Sequence, residues 1–279
     1  MHKKTLVALV IIIGTSFIFT TTTPQAYAQS SNRAIILLMS SSGVRVGALP
    51  LMRIKDLEPI DKYNIYKVNV YPKSRKSAYF TFCTPECRAA IDDYIEYRKR
   101  FGERISGDLP LFRRDYNAHG IKVGNTKTIT RGAIIKFMFL LWRDAGLKNP
   151  SPALENEGHD KKQKRNHIAM NHGFRKFWET NAFKAGMDNM HLRRLMGQKS
   201  GLEDAYLKLS EEDLLEGDSK HVGYVDVIDQ LTINEENKLR REVQMLKQLT
   251  GKNIEAKLNE KEKEISLLRQ NHVSSTDAI

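Results

Sequence analysis

The sequence predicts a mainly α-helical fold with a small antiparallel β-sheet and a charged helix towards its C-terminal end. Three observations carry that expectation. Apolar residues recur at helical spacing near 85–101, 130–147, 172–186 and 188–197. Residues 63–70 and 78–82 alternate and are rich in Tyr, Val and Phe, with a polar turn from Pro72 to Ser77 between them, the pattern of a β-hairpin. Hydrophobic residues make up 41% of 279, enough for a real core.

The elements follow in order. His2, Lys3 and Lys4 precede an uncharged run from Leu6 to Phe19, and Ala26-Tyr27-Ala28 matches a small-x-small cleavage pattern. Residues 1–30 therefore read as a signal-peptide-like segment; the apolar run is too short to cross a bilayer as a helix. Residues 32–58 read as helix, turn, helix, with Ser40 to Gly43 as the break. Pro85 and Glu86 mark a helix start. Residues 102–127 read as irregular, and 149–166 as a polar loop with Lys161, Lys162, Lys164 and Arg165 bunched together. An acidic helix starts near Ser210 and is interrupted by an insert at 217–223. From Asn234 to Gln270 sparse aliphatics at 4-3 spacing suggest a charged helix or short coiled coil. The chain thus divides into 1–30, a main domain at 31–232, and a tail at 233–279.

Lys and Arg number 45 against 33 Asp and Glu, a net charge of +12. That excess favours a polyanionic partner, either nucleic acid or an anionic membrane surface. Cys83 and Cys87 are the only cysteines. Two thiols without a nearby second ligand pair do not make a zinc site, and a disulfide between them would close a very short loop. No cofactor and no small-molecule substrate are expected.

The chemistry-bearing residues are Arg45, His172, Arg175, Tyr206 and a lysine of the 72–77 turn. Guanidinium groups suit the charge that develops on a phosphodiester during transesterification, because they are permanently charged and donate in parallel pairs. His172 and Arg175 lie three apart and share a helix face. A phenol such as Tyr206 can serve as a covalent nucleophile. A lysine in the 72–77 turn, Lys73 or Lys76, can protonate the leaving oxygen.

In order and context these residues resemble the tyrosine recombinase (phage integrase) family, and archaeal integrases in particular. Ser41-Ser-Gly-Val-Arg-Val-Gly-Ala-Leu49 is similar to that family's first arginine box. Val70-Tyr-Pro-Lys73-Ser-Arg-Lys-Ser resembles its lysine turn, with Lys73 in the catalytic slot. His172-Gly-Phe-Arg175 resembles the H-x-x-R box, Leu195-Met-Gly-Gln198 the L-G-H box, and Asp204-Ala-Tyr206 the tyrosine segment. The resemblance spans roughly residues 32–235. It implies the recombinase catalytic-domain fold, double-stranded DNA as partner, and site-specific recombination or integration through a 3′-phosphotyrosyl link. Arg45, Arg175 and His172 would then stabilise the transition state.

The chain departs from the pattern at three points. Gln198 stands where a histidine is usual, and an amide donates a hydrogen bond but carries no proton. The usual nucleophile slot, nine residues on, falls on Leu207, so Tyr206 is one residue early. The match begins almost directly after the signal-like segment, where a helical DNA-clamping domain is usual. Three readings stay open: an active recombinase; an inactive DNA-binding remnant fused to a signal segment; and an exported basic protein. Whether copies assemble on DNA is also left open, as is localisation: DNA-associated and cytoplasmic by resemblance, exported by the N-terminus.

Overall fold

The computed structural model describes residues 24–114, 127–144, 170–198, 209–218, 220–233 and 261–267; of 24–29, 144 and 170 it describes the backbone alone. Helix α1 (Pro24–Ser42) is the axis of the fold. Ala34 to Met39 are each at most 1% exposed, so this stretch is apolar on every face and buried on every face. It packs against α2 (Pro85–Arg100), α4 (Met170–Lys184), β3 (Tyr79–Phe82) and α7 (Tyr224–Leu231). The helix is continuous across residues 26–30.

The serines expected to break α1 instead finish it. Ser40 and Ser41 donate to Leu37 O at 3.0 and 2.7 Å, returning their hydroxyls to the helix rather than competing with it. Gly43 then stops it at φ +63°, a left-handed conformation suited to glycine.

The second helix expected within 44–58 does not form. Two 3₁₀ turns, Leu49–Leu51 and Ile54–Asp56, stand there instead. Pro50 lacks an N–H, and the backbone of this stretch is engaged elsewhere: Leu111 N donates to Met52 O (2.9 Å), Ile54 N to Leu109 O (3.1 Å) and Lys55 N to Gly107 O (2.9 Å). Strand β1 (Leu57–Ile60) follows, an element the sequence reading missed. Its Pro59 is tolerated because β1 is an edge strand.

The expected hairpin is present. Strands β1, β2 (Ile65–Val70) and β3 form an antiparallel sheet in that order, with Val70 opposite Tyr79 at the hairpin mouth. Helix α2 starts as its sequence predicts: Pro85 occupies the first turn and Thr84 Oγ1 accepts from Cys87 N at 3.3 Å. Cys87, Ala90, Ile91, Tyr94 and Arg98 form its buried stripe. Cys83 and Cys87 are free and buried.

At the end of α2 a charged cluster is buried. Arg98 grips both carboxylate oxygens of Glu103 (2.9 and 2.8 Å), and Arg113 Nη1 donates to Glu103 Oε2 at 2.9 Å. Arg98 also donates to Pro110 O and Leu111 O at 2.9 Å, closing the 101–111 loop against the helix.

Helix α3 (Arg131–Asp144) buries Ile134, Met138 and Trp142, while Ile135, Phe137 and Leu141 of the expected apolar face are only half-buried. Helix α4 buries Phe174, Phe177, Trp178 and Ala182. Helix α5 (Asn189–Leu195) is capped by Asp188, whose Oδ1 accepts from Met190 N at 2.7 Å. Helix α6 (Glu211–Glu216) carries a capping box in which Ser210 and Asp213 exchange hydrogen bonds. Phe82, Trp178, Leu192, Leu195, Tyr224 and Ile228 join sheet, α4, α5 and α7 into one core.

Contacts divide the chain into units 1–231 and 232–279. Within the second unit, residues 261–267 are helical, with Lys261 paired to Glu264 at 3.0 Å. The expected basic loop at 149–166 and most of the expected charged helix lie outside the described residues. No helix among the described residues is long and apolar enough to cross a membrane.

Candidate functional site

The site begins with the end of α1. Its last carbonyls need partners once the helix stops. Ser41 O accepts from the Tyr224 hydroxyl of α7 (2.7 Å), Ser42 O from Thr81 Oγ1 of β3 (3.1 Å), and Gly43 O from Arg175 Nη1 of α4 (2.8 Å). Three elements thus clamp three successive residues, and the chain that emerges carries Arg45. Gly43 also has a packing reason to be glycine: a Cβ there would meet the Trp178 ring at 3.1 Å.

Arg175 is 5% exposed, on a helix whose Phe174, Phe177 and Trp178 are also buried. Its second terminal nitrogen, Nη2, donates to Met196 O at 2.7 Å. Two of the guanidinium's five N–H groups therefore join the Arg45 loop to the end of α5. That end is built by a Schellman arrangement: Gln198 N donates to Arg193 O (2.8 Å) and Gly197 N to Arg194 O (2.9 Å), with Gly197 at φ +60°. A Cβ on Gly197 would lie 2.3 Å from Tyr79 Cδ1, so the L-M-G-Q stretch closes directly onto the start of β3.

These pieces wall a cleft of about 470 Å³ lined by Arg45, Tyr71, Ser74, Lys76, Ser77 and Gly197. Arg45 is exposed. The hairpin turn is shaped by Tyr71, at φ +53°, and by Ser74, whose N donates to Tyr71 O (2.8 Å) and whose Oγ accepts from Ser77 N (3.1 Å). No carboxylate lines the cleft. Among the described residues neither Arg45 nor Arg175 forms an ion pair within 4.0 Å. Burial, and then the nearby positive charge of Arg45, hold the Arg175 pKa below the ordinary arginine value. Two guanidiniums close enough to disfavour each other, beside a lysine turn and with no carboxylate in the cleft lining, suit an anion; Glu179 on α4 offsets part of the Arg175 charge from outside the lining.

The expected site residues fall into three groups. Arg45 and Arg175 come together. Lys73, His172 and Gln198 are less committed: Lys73 is exposed in the hairpin turn, with its charge felt by Asp108; His172 is exposed on α4, whereas Arg175 is buried; Gln198 Nε2 reaches Met196 Sδ at 3.9 Å. The turn lysine that lines the cleft is Lys76. Tyr206 lies outside the described residues. Tyr224, the other downstream tyrosine, is fully buried and donates to Ser41 O, a framework role. Sequence reasoning missed Tyr71 and Tyr79 at the two ends of the hairpin; the alternation of residues 63–82 showed the hairpin but not which side chains its mouth turns towards the arginines. Among the described residues no group of three or more His, Cys, Asp or Glu could hold a metal ion.

No protein-family model matches the chain, and no curated protein matches it. Among solved structures it is similar to the crystal structure of XerA recombinase, with a TM-score of 0.49 and 18% identity over 77% of this chain and 61% of that one. It is similar also to XerH site-specific recombinase bound to its difH substrate, in a pre-cleavage complex, with a TM-score of 0.46 and 15% identity over 74% of this chain and 50% of that one. A third is the Tn1549 transposon integrase in complex with transposon right-end DNA: TM-score 0.42, 18% identity, 70% of this chain and 59% of that one. The chain therefore spans less than two thirds of each of these chains.

Proposed function

We propose that this chain is the catalytic domain of a tyrosine recombinase, acting on double-stranded DNA in site-specific recombination or integration. The observation that supports this most is that Arg45 lines a cleft walled by the lysine turn, with no carboxylate in its lining, and has the buried Arg175 guanidinium near enough behind it for their charges to interact. Such a pair neutralises the non-bridging oxygens of a phosphodiester as charge builds on them. The order of motifs in the sequence supports the same reading.

In the reaction proposed, the Tyr206 phenol gives up its proton to solvent as its oxygen bonds to phosphorus, the P–O5′ bond breaks, and O5′ takes a proton from the lysine turn. A 5′ hydroxyl of another strand then attacks the phosphotyrosyl link and restores the phenol. One phosphoester replaces another at each step, so no external energy source enters. Arg175 holds the frame as well as the charge, through Gly43 O and Met196 O. His172 supplements them. Either Lys73 or Lys76 supplies the proton.

A randomised duplex pool, selected for binding, supplies the substrate; a nick placed in the selected site traps the covalent intermediate. A protein–DNA adduct stable to denaturation, absent in Tyr206→Phe, is the expected result. Replacing the bridging 5′ oxygen by sulfur, a leaving group that needs no proton, restores cleavage to whichever of Lys73→Ala and Lys76→Ala lacks the acid.

A second reading is favoured by Gln198, whose amide turns to a methionine sulfur and not into the cleft. On that reading the chain is a DNA-binding remnant, and the same experiment gives sequence-selective binding with no adduct. Residues 1–30 are read as a targeting segment and 233–279 as a charged helical tail. The intact mass of the native protein decides the former, a start at Gln29 marking cleavage.

A further inference from the structure

Tyr79 opens β3 opposite Val70, and its ring is pressed against Gly197, one wall of the cleft. Its hydroxyl oxygen is shut off from solvent; Arg175 lies close enough to donate weakly to it, but no acceptor for its O–H stands among the described residues. The groups around it are Arg175 and Arg45, whose charges oppose the rise in its pKa that burial causes, with the Tyr71 phenol further off. This environment has a chemical gap. A phenol O–H needs an acceptor, and guanidinium groups have only donors. A buried hydroxyl without an acceptor is costly, and the cost is removed when an acceptor arrives. The species that two arginines draw into this place is an anion, and every non-bridging oxygen of a phosphate is an acceptor.

We propose that Tyr79 is a further phosphate-binding residue of the cleft, donating its O–H to a non-bridging oxygen of the phosphodiester that Arg45 and Arg175 hold. The inference rests on the reading of the cleft as a phosphodiester site, not on strand transfer taking place there. The phenol supplies a neutral donor where a third cation would only add to the repulsion between the two guanidiniums. It also approaches the phosphate from the β3 side.

Tyr79→Phe removes the hydroxyl alone and keeps the ring against Gly197, so the fold is retained. Inorganic phosphate is the probe, titrated into the full chain carrying ¹³Cζ-labelled tyrosine; the Tyr79 signal is the one of ten that Tyr79→Phe deletes. The expected result is a saturable shift of that signal and a phosphate affinity about tenfold weaker in Tyr79→Phe, in the range of a hydrogen bond to a charged group. Wild-type affinity in Tyr79→Phe, with Arg45→Ala weakened, overturns the role of Tyr79 and leaves the cleft standing. Wild-type affinity in Arg45→Ala overturns the phosphate cleft and the Tyr79 proposal with it.

Discussion

Two pairs of arginines in this protein are placed in opposite ways. Arg98 and Arg113 share Glu103, and all three are nearly or fully buried, with 0%, 6% and 4% exposure. Arg45 and Arg175 are neighbours with no carboxylate between them. The first pair has its counter-ion built in and serves the fold, locking the 101–111 loop to α2. The second pair has no ion-pair partner within 4.0 Å among the described residues, and positive charge beside a buried guanidinium costs stability. The comparison separates arginine as a structural rivet from arginine as a receptor, and Arg175 combines the two: its Nη atoms tie backbone while its charge is left without a direct ion pair among the described residues.

Substitutions test that contrast, and their effects on stability should fall in order. Glu103→Gln strands two buried guanidiniums and should cost about 3–5 kcal/mol in denaturant unfolding, the scale for breaking a buried ion pair. Arg175→Ala releases Gly43 O and Met196 O inside the fold. It should cost about 2–4 kcal/mol, taking 1–2 for each orphaned carbonyl, and abolish DNA binding as well. Gly197→Ala forces a Cβ into the Tyr79 ring and should cost about 1–3 kcal/mol as an overpacked contact, with DNA binding weakened through the displaced phenol. Arg45→Ala should leave the unfolding midpoint unchanged and weaken DNA binding, lowering the slope of log affinity against log salt by about one. If Arg45→Ala proved as destabilising as Glu103→Gln, the distinction between rivet and receptor would collapse.

Much of the fold was legible in the sequence where a local signal sufficed. The hairpin followed from alternation around Pro72–Ser77, and α2 from Pro85 and its buried stripe. The 44–56 stretch was misread because what decides it is remote: residues 107–111 take its backbone hydrogen bonds, and nothing in its own composition announces them. Strand β1 was hidden by Pro59, which argues against a strand unless the strand is known to be an edge. The Arg98–Glu103–Arg113 cluster also escaped notice, since lone charges read as surface residues until their burial is seen.

The candidate site divides the same way. Arg45 and Arg175 were legible as residues of a resembling motif, and the structure adds what holds them: Gly43 O, Met196 O and the α1 terminus. Spacing put His172 and Arg175 on one helix face, yet His172, in the first turn of α4, is exposed and Arg175, one turn further in, is buried. Spacing could not distinguish Lys73 from Lys76 either, because that depends on how Tyr71, at its positive φ, turns the loop.

The three clamped carbonyls at the end of α1 bear on how quickly and how tightly the protein would engage the DNA proposed for it. A loop already immobilised by Tyr224, Thr81 and Arg175 has little conformational freedom left to surrender when a ligand arrives. Binding energy from its arginine is then realised in full, without a share diverted to ordering the chain. Encounter should therefore lead to engagement without a slow rearrangement at this loop, and association should be governed by charge and diffusion.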